Sequence, residues 1–183
     1  MDRGSPRNVW KNVRDIPLAA LLAALTAAGA WVAVPLPFSP VPITLQSLFP
    51  LLSGLFLGTR LAVLAMVAYL LLGVVGIPVF AGGAAGWGQL AGPTGGFLLG
   101  FVVCAAVASG ARHHKSPWAQ GAWLVGATLA LYTIGVPWLA VQAHLSFGQA
   151  LVAGMLPFIP GDLLKVVVAL ALSRAARHVQ VGG

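Results

Sequence analysis

Apolar residues gather into six long blocks, at 17–34, 44–58, 61–76, 95–111, 119–141 and 148–173. Charged residues fall almost wholly in the joins between them. A helix that crosses the hydrocarbon core of a bilayer needs roughly 20 apolar residues. The blocks therefore predict membrane helices rather than the buried faces of a soluble core. The second and third are short for a span, and the last is too long for one straight pass. Pro157 and Pro160 lie inside that last block, and proline breaks a helix interior but suits a first turn. The reading is a short segment followed by a sixth helix over 160–176, with a tail over 1–15 ahead of the first helix. The expected architecture is an all-α integral membrane protein, one domain over 1–183 with six transmembrane helices.

Composition agrees: 59% of residues are hydrophobic, 7% are charged, and glutamate does not occur. The net charge of +7 could suggest nucleic acid, but phosphate binding needs a basic stripe on one face. Here the cations come in ones and twos, so they report topology instead. Arg3, Arg7, Lys11 and Arg14 precede the first helix, and Arg60 follows the second. Arg112 and Lys115 follow the fourth, and Arg174 and Arg177 follow the sixth. By the positive-inside rule both termini and these loops are cytoplasmic. The charged, then apolar, N-terminus has the outline of a signal peptide, but five further blocks favour a retained helix. The single cysteine, Cys104, rules out an internal disulfide and sits among alanines and valines as a buried thiol.

The outer loops carry no cation and are rich in proline and glycine, notably 35–46 and 77–96. They are too apolar for solvated loops. Irregular backbone at membrane depth is tolerated where it is buried in protein or lines a cavity. These loops are expected to fold over the outer end of the bundle as a lid above a ligand site.

Past residue 15 there is one acidic side chain, Asp162, and Lys165 follows three positions later within an apolar run. A charge at membrane depth costs about 2.5–3.5 kcal/mol on insertion scales and marks a functional site. Three positions apart on a helix is one face, so the two can pair. A structural pin between helices is the plain alternative. The dipole at a helix start favours Asp162 but not Lys165, which points to a polar ligand. Thr44 and Gln46 stand where the first outer loop meets helix 2, as caps or as ligand contacts. Trp87, Phe97, Phe80 and Trp138 gather at the outer face, either as an interfacial belt or as pocket walls. Ala19, Ala23 and Ala27, with Ala20, Ala24 and Ala28 beside them, give helix 1 a smooth small-residue face suited to a partner helix. Gly96 and Gly100 form a similar pair.

Adjacent histidines 113 and 114 do not face each other on a helix and predict no metal site. The stretch Gly92-Pro-Thr-Gly-Gly96 has no phosphate-reaching lysine, so it is no Walker A loop. No nucleophile lies in a catalytic motif. The sequence thus predicts no enzyme and no cofactor. One carrier alternative uses Asp162 as the titrating group of an ion-coupled transporter.

Several motifs together resemble the BioY family, the biotin-specific substrate-capture components of energy-coupling-factor (ECF) transporters. They are Val41-Pro-Ile-Thr-Leu-Gln46, Gly54-Leu-Phe-Leu-Gly58, Gly76-Ile-Pro-Val-Phe-Ala-Gly-Gly83, Gly92-Pro-Thr-Gly-Gly-Phe97 and Phe158-Ile-Pro-Gly-Asp-Leu-Leu-Lys165. The resemblance implies a six-helix membrane protein that binds biotin from the outer side. A transmembrane coupling subunit and a pair of ATPase subunits would supply energy, in keeping with the missing Walker A loop. Asp162 and Lys165 match the family's aspartate and lysine and would meet the ureido group. Thr44, Gln46, Gly83, Trp87 and Phe97 are the other expected substrate contacts. The alanine face of helix 1, Ala19, Ala20, Ala23, Ala24 and Ala27, would meet the coupling subunit. The implied setting is a bacterial plasma membrane. A capture component for another small vitamin is the near alternative.

Overall fold

The computed structural model describes the backbone of residues 6–181 and the side chains of residues 15–176. The chain is mostly helical, in the order α1 (Pro6–Trp31), β1 (Ala33–Leu36), β2 (Ser39–Thr44), α2 (Leu48–Phe56), α3 (Thr59–Val74), α4 (Trp87–Ala91), α5 (Gly95–Ala108), α6 (Pro117–Gln142), α7 (Phe147–Gly154) and α8 (Ile159–Val181). Among the described residues, three helical stretches, Gly95–His113, Pro117–Gln142 and Phe147–Ala176, are long and apolar enough to cross a membrane. Asp15–Trp31 and Thr59–Val74 are shorter apolar helices. The expected tail is helical from Pro6 onward, and the side chains of its cations lie outside the described residues.

The all-α expectation needs one correction. Residues 33–44 form an antiparallel hairpin, with Ala33 opposite Thr44, Val34 opposite Ile43 and Leu36 opposite Ser39. Val34, Val41 and Ile43 favour extended backbone, and Pro35, Pro40 and Pro42 withhold donors, so the ladder stays two-stranded and shifts register between Val34 and Leu36. As a result α2 begins at Leu48, not 44, and has nine residues. At about 1.5 Å per residue it is far too short to span a bilayer.

Close helix crossings hold the bundle. A Cβ on Gly54 of α2 would stand 2.5 Å from the carbonyl oxygen of Ala105 in α5, so only glycine permits this approach. Gly96 and Gly100 both face α6, against Trp138 and Leu131. On α8, Asp162, Lys165, Val166 and Ala169 are buried while Leu163, Leu164 and Val167 are exposed. The period of three and four is that of a helix face, but here the outer face is apolar and the inner face carries the charges. That inversion suits a helix with lipid outside and a site inside.

The cations and the site occupy opposite ends. Arg60 opens α3, Arg112 follows α5, and Arg174 lies near the end of α8, all exposed. Both 2–3 and 5–6 connections share that end: a Cβ on Gly58 would lie 3.0 Å from the Arg112 guanidinium. The hairpin, the 77–94 connection and the start of α8 come together at the other end, around a cavity.

Candidate functional site

The last apolar block breaks where its prolines fall, into α7, a 3₁₀ turn over Leu156–Phe158, and α8. The break turns α8 so that Asp162 stands in its first turn, where unpaired backbone N–H groups favour a carboxylate. One turn on, Lys165 Nζ lies 3.1 Å from Asp162 Oδ1. Both residues are only 9% exposed. Burial of two charges demands further partners, and two other helices supply them. Lys165 Nζ donates to Ser47 Oγ at 2.7 Å, and Ser47 Oγ donates to Asp162 Oδ1 at 3.4 Å. From α6 the Tyr132 hydroxyl donates to Asp162 Oδ2. The four side chains form one connected polar cluster.

The cluster opens on a cavity of about 510 Å³, within the size range of small-molecule sites. The hairpin contributes Pro40, Val41 and Pro42, and α5 contributes Phe97, Leu98 and Phe101. Ser39 Oγ donates to the Ala153 carbonyl at 2.7 Å and ties the hairpin to the end of α7. Phe80 is wedged over Gly73, where a Cβ would sit 2.0 Å from its ring. Gly82, at φ 68, turns the 77–94 connection along the wall. A left-handed residue there is cheap only for glycine. The loops thus form a structured cover, with helical turns and a hairpin rather than irregular backbone alone.

Five of the expected contacts reach this cavity: Asp162, Lys165, Gln46, Thr44 and Phe97. Gln46, 3% exposed, is fixed by its amide donating to the Tyr69 hydroxyl, which in turn donates to the Val79 carbonyl at 3.1 Å. Thr44 Oγ1 donates to Gln46 Oε1 at 3.3 Å. Two expected contacts are not brought there. Trp87 opens α4 and is 69% exposed, because Leu90 takes the buried position and Gln89 the cavity side. Gly83 packs beneath Trp31, 3.2 Å from a Cβ placed on it, and Gly82 takes the wall. The alanine face of helix 1 divides in the same way. Ala19 and Ala23 are buried in the chain's own core and Ala27 is half-buried, leaving Ala20, Ala24 and Ala28 exposed in a stripe at four-residue spacing.

Ser47, Tyr69 and Tyr132 are the hydrogen-bonding neighbours of the candidate site that sequence reasoning passed over. A signal existed for two of them. The chain has two tyrosines, both inside apolar helices, and a buried phenol needs a partner for its hydroxyl. Each finds one on a residue of the site. Ser47 had no such signal, since its role depends on how α2 meets α8.

The model of the BioY family matches residues 4–180. The chain belongs to this family. It is 40% identical to a biotin transporter BioY of Rhizobium etli over 175 residues, covering 90% of this chain and 93% of that protein. It is 36% identical to a biotin transporter BioY of Thermotoga maritima, covering 92% and 99%. Its fold is that of the biotin S-component of an ECF-type ABC transporter, known from a crystal structure at 2.1 Å. The two superpose with a TM-score of 0.86 at 22% identity, covering 96% of this chain and 95% of that one. The overall fold is therefore a shared one.

Proposed function

We propose that this chain is the biotin-capture component of an ECF-type uptake transporter, binding biotin in the cavity beneath the hairpin. The observation that carries this reading is the buried Asp162–Lys165 pair facing a cavity walled largely by apolar side chains. Biotin presents two ureido N–H donors, a ureido carbonyl, an apolar bicyclic ring and a carboxylate tail. Asp162 accepts from a ureido N–H and Lys165 donates to the ureido oxygen. Each charged hydrogen bond is worth about 1.5–3 kcal/mol. Phe97 and Phe101 enclose the rings, while Gln46, held by Tyr69, and Thr44 line the same wall.

The chain crosses a bacterial plasma membrane six times, the cationic end and both termini in the cytoplasm and the cavity toward the outside. Ala20, Ala24 and Ala28, exposed on α1, offer a transmembrane coupling subunit a close helix contact, and ATPase subunits attached to that partner supply energy. The test is a biotin titration of the detergent-purified chain and of Asp162→Asn. One-to-one binding that the substitution weakens at least tenfold, about 1.4 kcal/mol, is expected. A folded wild type that does not bind biotin would refute the reading.

A further inference from the structure

The cavity holds a second polar patch, apart from the cluster around Asp162. Its lining contains six other polar side chains: Ser39, Thr44, Gln46, Gln89, Thr94 and Thr128. Four of them are committed within the protein. Ser39 donates to Ala153, Thr44 and Gln46 form the chain that ends on Tyr69, and Thr128 donates back to the Leu124 carbonyl at 3.1 Å. Gln89 and Thr94 are different. Thr94 Oγ1 donates to Gln89 Oε1 at 3.5 Å, the outer limit of a hydrogen bond. Thr94 occupies the N-cap position of α5 yet makes no side-chain cap. The Gln89 amide nitrogen has no partner among the described residues. The Gln89 amide therefore stands uncommitted on the cavity lining, and the Thr94 hydroxyl is held only by a long bond that it can exchange.

Their backbone is held stiff. A Cβ on Gly95 would fall 1.7 Å from the Leu90 carbonyl oxygen, so the segment between Gln89 and Thr94 folds back against itself as only glycine allows. Trp138 on α6 donates its indole N–H to the Gly92 carbonyl at 2.9 Å and pins the middle of the segment. Positioned donors of this kind bind without the cost of ordering a loop.

Charge decides what they bind. Asp162 is neutralised by Lys165, and an anion brought to that end would meet the carboxylate and compete for its one cation. Among the described residues, no other lysine or arginine lines the cavity. We propose that Gln89 and Thr94 form the subsite for the carboxylate tail of the ligand, with neutral donors in place of a cation. The assignment rests on the biotin reading above. It orients biotin with the ureido ring at Asp162 and Lys165 and the acid at the α4–α5 segment.

The test compares biotin with biotin methyl ester in the wild type, Gln89→Leu, Thr94→Val and Asp162→Asn, each checked for a monodisperse elution profile. The wild type should prefer the acid. Gln89→Leu and Thr94→Val should each weaken biotin about tenfold while changing the ester less than about twofold. Asp162→Asn should weaken both ligands alike. The inference is overturned if either tail variant leaves the preference for acid over ester intact, or if both ligands weaken equally in the two tail variants. A wild type that binds neither ligand would instead bring down the biotin reading itself, and this inference with it.

Discussion

Removing Lys165 should unfold the protein more readily than removing the whole ion pair. In Lys165→Met the Asp162 carboxylate stays buried, 9% exposed, without its cation. Breaking a buried pair from one side costs about 3–5 kcal/mol. Ser47 and Tyr132 still donate to Asp162, which places the expected loss at the lower end, about 3 kcal/mol. For a chain of this length that is a fall in Tm of roughly 6–12 °C. The double variant Asp162→Asn/Lys165→Met leaves no charge in the cluster, and an amide at 162 can still accept from the Tyr132 hydroxyl. It should recover most of the lost stability, because two neutral groups need no counter-charge. Neither variant should bind biotin. Thermal unfolding followed by intrinsic fluorescence at a fixed scan rate, with a biotin titration of the same samples, reads both quantities. A double variant as unstable as Lys165→Met, or a Lys165→Met protein with an unchanged Tm, would refute the view that Lys165 serves to neutralise Asp162.

Other perturbations separate the parts of the site. Tyr132→Phe removes the phenol that donates to Asp162 Oδ2 and should raise the biotin Kd about tenfold, the lower range for a hydrogen bond to a charge; calorimetric titration checks it. Gly73→Val places methyls where the Phe80 ring now packs, so overpacking should cost about 1–3 kcal/mol and push Phe80 off the cavity wall. Lower Tm and weaker biotin binding should appear together. Ala24→Leu, on the exposed side of α1, should leave biotin binding by the isolated chain unchanged while abolishing co-purification with a coupling subunit. Ala23→Leu, on the buried side, should instead lower Tm by overfilling the core.

Much of this arrangement could be read from the residues, and the boundary of what could be read is physical. Asp162 and Lys165 stood out because a charge in an apolar run has few explanations, and their spacing on one helix needs no tertiary information. The break near Pro157 and Pro160 follows from the missing N–H of proline. The hairpin was hidden because the same prolines that exclude helix also weaken the case for a strand, and the pairing of Ala33 with Thr44 is a non-local fact. Trp87 illustrates a different limit. Its type suits a pocket wall, but a helix of five residues can turn one side inward, and Leu90 and Gln89 take it. Likewise the alanines of helix 1 are equal in sequence and unequal in space, since Ala19 and Ala23 pack inward and Ala20 and Ala24 do not.

The polar cluster also bears on why such a site can discriminate. The Lys165 ammonium has Ser47 and Asp162 as partners, and both Asp162 oxygens accept from side chains. The buried charges thus have partners within the protein. A carboxylate offers about four lone-pair sites and an ammonium three donors, so each retains capacity for one more partner. A ligand filling both must offer a donor to Asp162 and an acceptor to Lys165 side by side. A ureido group does so, and a thioether or hydrocarbon ring in the same place would strip water from that remaining capacity and return nothing. Leaving a charged buried group short of a partner costs more than a matched bond contributes. Discrimination on this account comes from the loss suffered by wrong ligands, with the aromatic walls supplying affinity that any ring of similar size would share.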